Sequence, residues 1–243
     1  MLNNALFLLV VFLSNIIQCI TGFAGTVLAM PFSVMLIGLA DAKAILNVLG
    51  AAASVGVLIT GYKYVNKKEF LKMTGFLIPG IAAGYFLSPM AVSFQKAAYI
   101  TLGSVVIFFA VLNFIKLVRN KESKEPGNVL SAVILLASGL IHGVFVCGGP
   151  LLVTYAGQKL KDTQEFRATL SAVWIVLNGI MVFSDAFNGY FDKPTLKLLG
   201  LSLAALAAAI VIGNSVAKKM SKKAFLILSY ILMLISGISL LIK

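Results

Sequence analysis

Charge is scarce in this chain. Only 12% of its 243 residues are Asp, Glu, Lys or Arg, and just eight of those are acidic, against 60% apolar residues. Soluble domains carry about a quarter charged residues, so the composition excludes an ordinary water-soluble globule. Histidine occurs once and cysteine twice, as Cys19 and Cys147, both inside apolar segments. Neither a disulfide framework nor a Cys/His metal site is expected from so few. No phosphate-binding loop of the Gly-x-x-x-x-Gly-Lys-Ser/Thr type is present, so the chain itself is not expected to hydrolyse ATP. The first residues, MLNNALFLLVVFL, hold no cation, and a cleaved signal peptide is not expected there.

Long apolar runs are plentiful instead. They cover approximately residues 5–39, 42–62, 71–90, 95–117, 128–157, 165–187, 194–216 and 223–242, and the mean hydropathy is +1.02. A run of about 18 or more apolar residues reads as a membrane-spanning helix. The net charge of +12 sits in the loops between these runs. There it orients a membrane protein, and no basic face with interleaved aromatics suggests a nucleic acid. The lipid bilayer is the expected surrounding, and no cofactor is called for.

Two runs have an unusual length. As one helix, 5–39 would reach roughly 50 Å at 1.5 Å per residue, beyond a hydrocarbon core of about 30 Å. Glycines interrupt it at TGFAG (21–25), and they interrupt 128–157 at CGG (147–149). Both are predicted to be helical hairpins of two arms. Three ordinary spans follow each hairpin, and a charged segment with Pro126-Gly127 joins the halves. The predicted fold is an all-α integral membrane protein of two repeats. Residues 1–117 form the first, 118–127 a cytoplasmic linker, and 128–243 the second.

Overlaying the halves at their glycines, with an offset of 123, sets Gly25 on Gly148, Thr26 on Gly149 and Pro31 on Thr154. AKAILNVLGAAAS (42–54) then lies over FRATLSAVWIVLN (166–178), and Gly80-xxx-Gly84 over Ala209-xxx-Gly213, a small-residue spacing that lets helices approach closely. Loop charges predict orientation. With loops 63–72, 116–124, 158–167 and 217–223 inside, fifteen of the twenty Lys and Arg are cytoplasmic, as the positive-inside rule requires. If 128–157 crossed only once, eleven would be. The hairpin assignment also makes the repeats opposite in orientation. Inverted repeats are a common plan of secondary transporters, in a prokaryotic inner membrane here.

Carriers of this plan bind substrate at broken helices near the midplane, so the two glycine breaks are the candidate site. A helix start presents unpaired N–H groups and partial positive charge, and two such starts would cradle an anion. The candidates at the first break are Gln18, Thr21, Gly22, Gly25 and Thr26. Those at the second are His142, Cys147, Gly148, Gly149 and Thr154. Pro150 suits the first turn of a helix. Arg167 and Asn178 follow on the next span, where Arg167 would steer anions. Helix-to-helix hydrogen bonding is the plainer role for each polar residue, and interfacial anchoring for Arg167. The lone His142 is the candidate for relaying a proton. No buried Asp or Glu is expected, since Asp185 falls near a span end.

These segments resemble the TauE/SafE family of sulfite and organosulfonate permeases. The resemblance rests on GFAGTVLAMP (22–31), GLIHGVFVCGGPLLVTY (139–155) and FRATLSAVWIVLN (166–178), and covers essentially the whole chain. Thr26 stands where the family has a further glycine, and Thr154 where it has proline. The resemblance implies transport of a sulfur oxyanion, such as sulfite, or of an organosulfonate such as sulfoacetate. The residues themselves argue only for a small anion; a non-enzymatic secondary carrier is expected, with coupling to protons or to sodium left open. A passive anion channel and a sulfur-relay or redox protein using Cys147 are the alternatives.

Overall fold

A computed structural model describes residues 2–93, 95–119, 127–146, 148–160 and 162–242. Among the described residues ten α-helices follow one another: α1 (Leu2–Thr21), α2 (Ala24–Ile37), α3 (Leu39–Gly61), α4 (Lys67–Ser93), α5 (Gln95–Val118), α6 (Asn128–Phe145), α7 (Gly149–Lys159), α8 (Thr163–Phe187), α9 (Lys193–Lys219) and α10 (Lys222–Ile242). A short 3₁₀ turn (Tyr62–Tyr64) joins α3 to α4. Both long apolar runs are split where the glycines fall, 5–39 into α1 and α2 and 128–157 into α6 and α7. The first break turns on Gly22, whose φ of 81° lies in the left-handed region that favours glycine.

Among the described residues, five stretches are long and apolar enough to cross a membrane: Leu2–Thr21, Ala40–Tyr64, Lys67–Leu87, Thr163–Phe187 and Lys193–Ala217. Their polarity is arranged for lipid. Phe32, Met35, Ile59, Phe86, Phe183, Phe187 and Val211 are all exposed, while Gln18, Asn47, Ser138, His142, Arg167, Asn178 and Asp185 are buried. In hydrocarbon an uncovered polar group costs free energy and an uncovered apolar one does not, so this distribution suits an integral membrane protein.

The helices gather into two compact units, Met1–Asn66 with Arg167–Met220, and Lys67–Phe166 with Ser221–Lys243. Each unit draws on both halves of the chain. In the first, α1 packs on α9, on its hairpin partner α2 and on α3. Gly213 of α9 has room for no side chain, since a Cβ there would stand 2.5 Å from the Cβ of Cys19. In the second unit α4 packs on α6, and α5 on α10. Gly80-xxx-Gly84 of α4 meets Gly139-xxx-Gly143 of α6 backbone to backbone. A Cβ at Gly80 would fall 3.0 Å from Gly139 Cα, and one at Gly143 would fall 3.1 Å from Gly84 Cα. Small residues facing each other in this way give apolar helices the close contact that holds them together in lipid.

Candidate functional site

In the first unit, the start of α2 is already capped by the end of α1. Thr21 Oγ1 accepts from the N–H groups of Phe23 (3.4 Å) and Ala24 (3.2 Å), and Gln18 Oε1 accepts from Gly25 N–H at 2.8 Å. Orphan donors at a helix start are commonly satisfied by side-chain oxygens. The Gln18 amide oxygen and the Thr21 hydroxyl are therefore engaged by the backbone, and the N–H groups of Ala24 and Gly25 are not an open cradle. Gly25 serves packing, because a Cβ there would meet Gln18 Cβ at 2.5 Å and Ser14 O at 2.8 Å. Gly22 backs onto α8, with Arg167 Cα 3.4 Å from where its Cβ would be.

The charge at this break comes from Arg167, on the second turn of α8 and only 4% exposed. Its Nη2 donates to the backbone oxygen of Cys19 and, at 3.0 Å, to Oδ1 of Asn214 on α9. Asn214 Nδ2 in turn donates to Gly56 O at 3.3 Å. Burying a guanidinium is costly unless its N–H groups are bonded. Both of these acceptors are neutral oxygens.

One turn into α2, Thr26 joins Asn178 of α8 over a notch in α3. A Cβ at Gly50 would stand 2.7 Å from Asn178 Nδ2 and 3.4 Å from Thr26 Oγ1. The amide and the hydroxyl thus converge over the bare Cα of Gly50. Asn178 is 3% exposed. Gln18, Thr21, Gly22, Gly25 and Arg167 are thus gathered at the break, and Thr26 links it to Asn178 over Gly50.

The second unit holds the other break. There α6 ends at Val146, whose φ of 56° and ψ of 26° put a β-branched residue in the left-handed region, an uncommon and strained state. Cys147 lies outside the described residues. Gly148 is pressed against α6: a Cβ there would collide with the Ser138 carbonyl and stand 2.8 Å from His142 Cβ. Ser138 Oγ donates to Gly148 O at 2.7 Å. Gly149 opens α7, with Pro150 next to it. Thr154 Oγ1 donates back to Pro150 O at 3.0 Å, and His142 is 2% exposed. One residue on, the buried Tyr155 donates to Glu69 Oε2 of α4 at 2.6 Å, beneath the Lys72 ammonium 5.6 Å from its ring.

Three features escape a reading of the sequence. Asn214 and Gly50 carry no motif, and only their neighbours in space give them meaning. Asp185 is a correction: it is buried, at 3% exposure, because α8 continues to Phe187 and packs that turn against Asn47 of α3. Among the described residues no group of three His, Cys, Asp or Glu could hold a metal ion.

A polytopic helical protein with two glycine-broken hairpins, one holding a buried cation among neutral oxygens, has the parts to handle an anion in lipid. No curated protein and no solved structure matches the chain. The sequence pattern described as Sulfite exporter TauE/SafE matches residues 7–240, nearly the whole length, and the chain belongs to that family of membrane transporters.

Proposed function

We propose that the chain is a secondary carrier of a small sulfur oxyanion, sulfite or an organosulfonate such as sulfoacetate, in a prokaryotic inner membrane. Loops 63–72, 116–124, 158–167 and 217–223 face the cytoplasm in this reading, with Arg167, the last residue of the third, turned into the protein. The observation that carries it is the Arg167 guanidinium, buried at the α1–α2 break and held by the oxygens of Cys19 and Asn214. A positive charge kept in a dry apolar surrounding attracts an anion strongly, and intramembrane charges mark ion pathways. Thr26 and Asn178, which converge over Gly50, would supply uncharged donors suited to an oxyanion that must also leave. At the α6–α7 break, the start of α7 at Gly149, with His142 and Thr154 near it, is a second place where helix N–H groups would face an anion.

The inverted-repeat reading has support in the packing. The first arm of each hairpin lies against the fourth helix of the opposite half, α1 on α9 through Gly213 and α6 on α4 through Gly80 and Gly84. Carriers built this way alternate access around a fixed site.

The test is flux into proteoliposomes of labelled sulfite, thiosulfate, sulfoacetate, sulfate and acetate. Saturable uptake of a sulfur oxyanion, with counterflow against unlabelled anion, and its loss in Arg167→Gln are expected. Unsaturable flux without counterflow would make the protein a channel. No flux of any of the five from a well-folded preparation would overturn the substrate class.

A further inference from the structure

We propose that Asp185 and Asn47 form a proton-binding site that couples anion movement to the proton gradient. The proposal rests on the carrier reading for its purpose, although the site stands on its own geometry. Asp185 lies in the last turns of α8 and Asn47 in the middle of α3, both buried, at 3% and 0% exposure. Asn47 Nδ2 donates to Asp185 Oδ2 at 2.8 Å. The other end of the same amide, Asn47 Oδ1, is buried without a hydrogen-bond partner among the described residues.

An orphaned acceptor beside a buried carboxylate is unusual, since an unmade buried hydrogen bond is costly. It is accounted for if the pair serves two protonation states. While Asp185 is ionised, the amide nitrogen donates to it, as observed. When Asp185 takes up a proton, it becomes a donor, and half a turn of the amide brings Oδ1 round to accept from its O–H. No covalent bond is made or broken except that to the proton, and one hydrogen bond replaces another. No backbone movement is needed, and the charge on α8 changes by one. A carboxyl group inside a membrane protein, paired with a named partner, is a functional site by default.

Several charged groups stand around this pair. Lys43, one turn before Asn47 on α3, brings a positive charge to bear on Asp185. At the start of α9, Lys193, Lys197 and Asp192 are exposed, and Asp192 accepts from Thr195 N–H at 2.8 Å. Asp41 of α3 accepts from the Thr195 hydroxyl at 3.0 Å. On α8 itself, Ser184 is engaged with Asn188 at 3.4 Å. Two side-chain groups do not make a sodium or divalent site, because hard cations take about six or more oxygens.

Two measurements test the site. In the first, the reconstituted protein is titrated with no anion present, and the infrared stretch of protonated carboxyl groups is followed. Wild type is expected to show a titrating buried carboxyl band that is absent from Asp185→Asn. Asn47→Ala keeps the carboxyl and is expected to move the midpoint by about one pH unit or more, the scale of a lost charge-assisted hydrogen bond. In the second, labelled sulfite uptake is compared with and without a pH gradient. Wild type is expected to show a ratio well above one, and Asp185→Asn a ratio of one. A wild-type band that persists in Asp185→Asn overturns the assignment. So does a gradient response that survives in Asp185→Asn, or one driven by sodium at equal pH. If the band titrates as expected but no anion moves, the proton site stands and the carrier reading falls. If anions move by counterflow but no carboxyl titrates, the reverse holds.

Discussion

Asn214 holds Arg167 with one end of its amide and α3 with the other: Arg167 Nη2 lies 3.0 Å from Asn214 Oδ1, and Asn214 Nδ2 lies 3.3 Å from Gly56 O. The guanidinium is therefore fixed between α1, through the Cys19 carbonyl, and α9. One guanidinium nitrogen, its two N–H groups fixed in the plane of the group, serves both acceptors, and an ammonium on a flexible stem is a poor substitute at such a site. Arg167→Lys is expected to keep the charge and still lower sulfite uptake by about tenfold or more, the scale of a lost hydrogen bond to a charged group. Asn214→Ala leaves the charge and removes one acceptor, so a smaller rise in half-saturating concentration is expected. Uptake measured against sulfite concentration separates the two. Wild-type behaviour in Arg167→Lys would mean that charge alone matters.

A second prediction concerns Gly50. Alanine is a better helix former than glycine, so Gly50→Ala should leave α3 as stable as before or more so. Its Cβ would nevertheless stand 2.7 Å from Asn178 Nδ2, and the amide would have to move out of the notch it shares with Thr26. Half-saturating sulfite is expected to rise by about tenfold, in line with losing one or two oxyanion donors, with no fall in thermal unfolding temperature. Reduced stability together with unchanged affinity would show that the notch only packs helices.

Much of this fold was legible in the sequence, because membrane helices announce themselves by length and polarity alone. The splits of residues 5–39 and 128–157 at TGFAG and CGG follow from run length and from the freedom of glycine. The two glycines at 80 and 84 read correctly as a close-approach surface, although the partner stripe at 139 and 143 became visible only in the packing. The chemistry at the first break was less legible. The oxygens of Gln18 and Thr21 cap the start of α2, and which side chain caps a helix start depends on how an arm folds back. Burial of Asp185 depends on where α8 stops and what lies against its last turn, and hydropathy encodes neither.

The α4–α6 contact gives a stability prediction with an internal control. Glycines 80, 84, 139 and 143 bring the two backbones together, and a side chain at Gly139 would strike the Leu77 carbonyl and stand 3.0 Å from Leu77 Cα. Overpacking of this kind costs about 1–3 kcal/mol, and Gly139→Leu is expected to lower the unfolding temperature of the detergent-solubilised protein. Gly75, on the same α4, has nothing within 4 Å of its Cβ position. Gly75→Ala should therefore be neutral or stabilising by about 0.4–1 kcal/mol. Equal effects of the two substitutions would rule out the backbone contact as their cause.

The last prediction is a pH dependence outside the membrane spans. Asp192 caps α9, its Oδ1 accepting from Thr195 N–H at 2.8 Å, and hydrogen bonds from Thr195 hold its carboxyl below the usual carboxylate range. A carboxylate whose value is depressed by folding contributes stability that is complete above its unfolded value, near pH 4. That contribution is lost as pH falls through the lower folded value. Asp192→Ala is therefore expected to unfold at lower temperature than wild type near neutral pH. The difference should close as the solution is acidified below about pH 4. Asparagine caps a helix as well as aspartate does and cannot ionise, so Asp192→Asn should keep the stability of the cap through the acid range. A gap between Asp192→Ala and wild type that stays constant down to the most acid point would mean that the cap acts through its shape and not its charge.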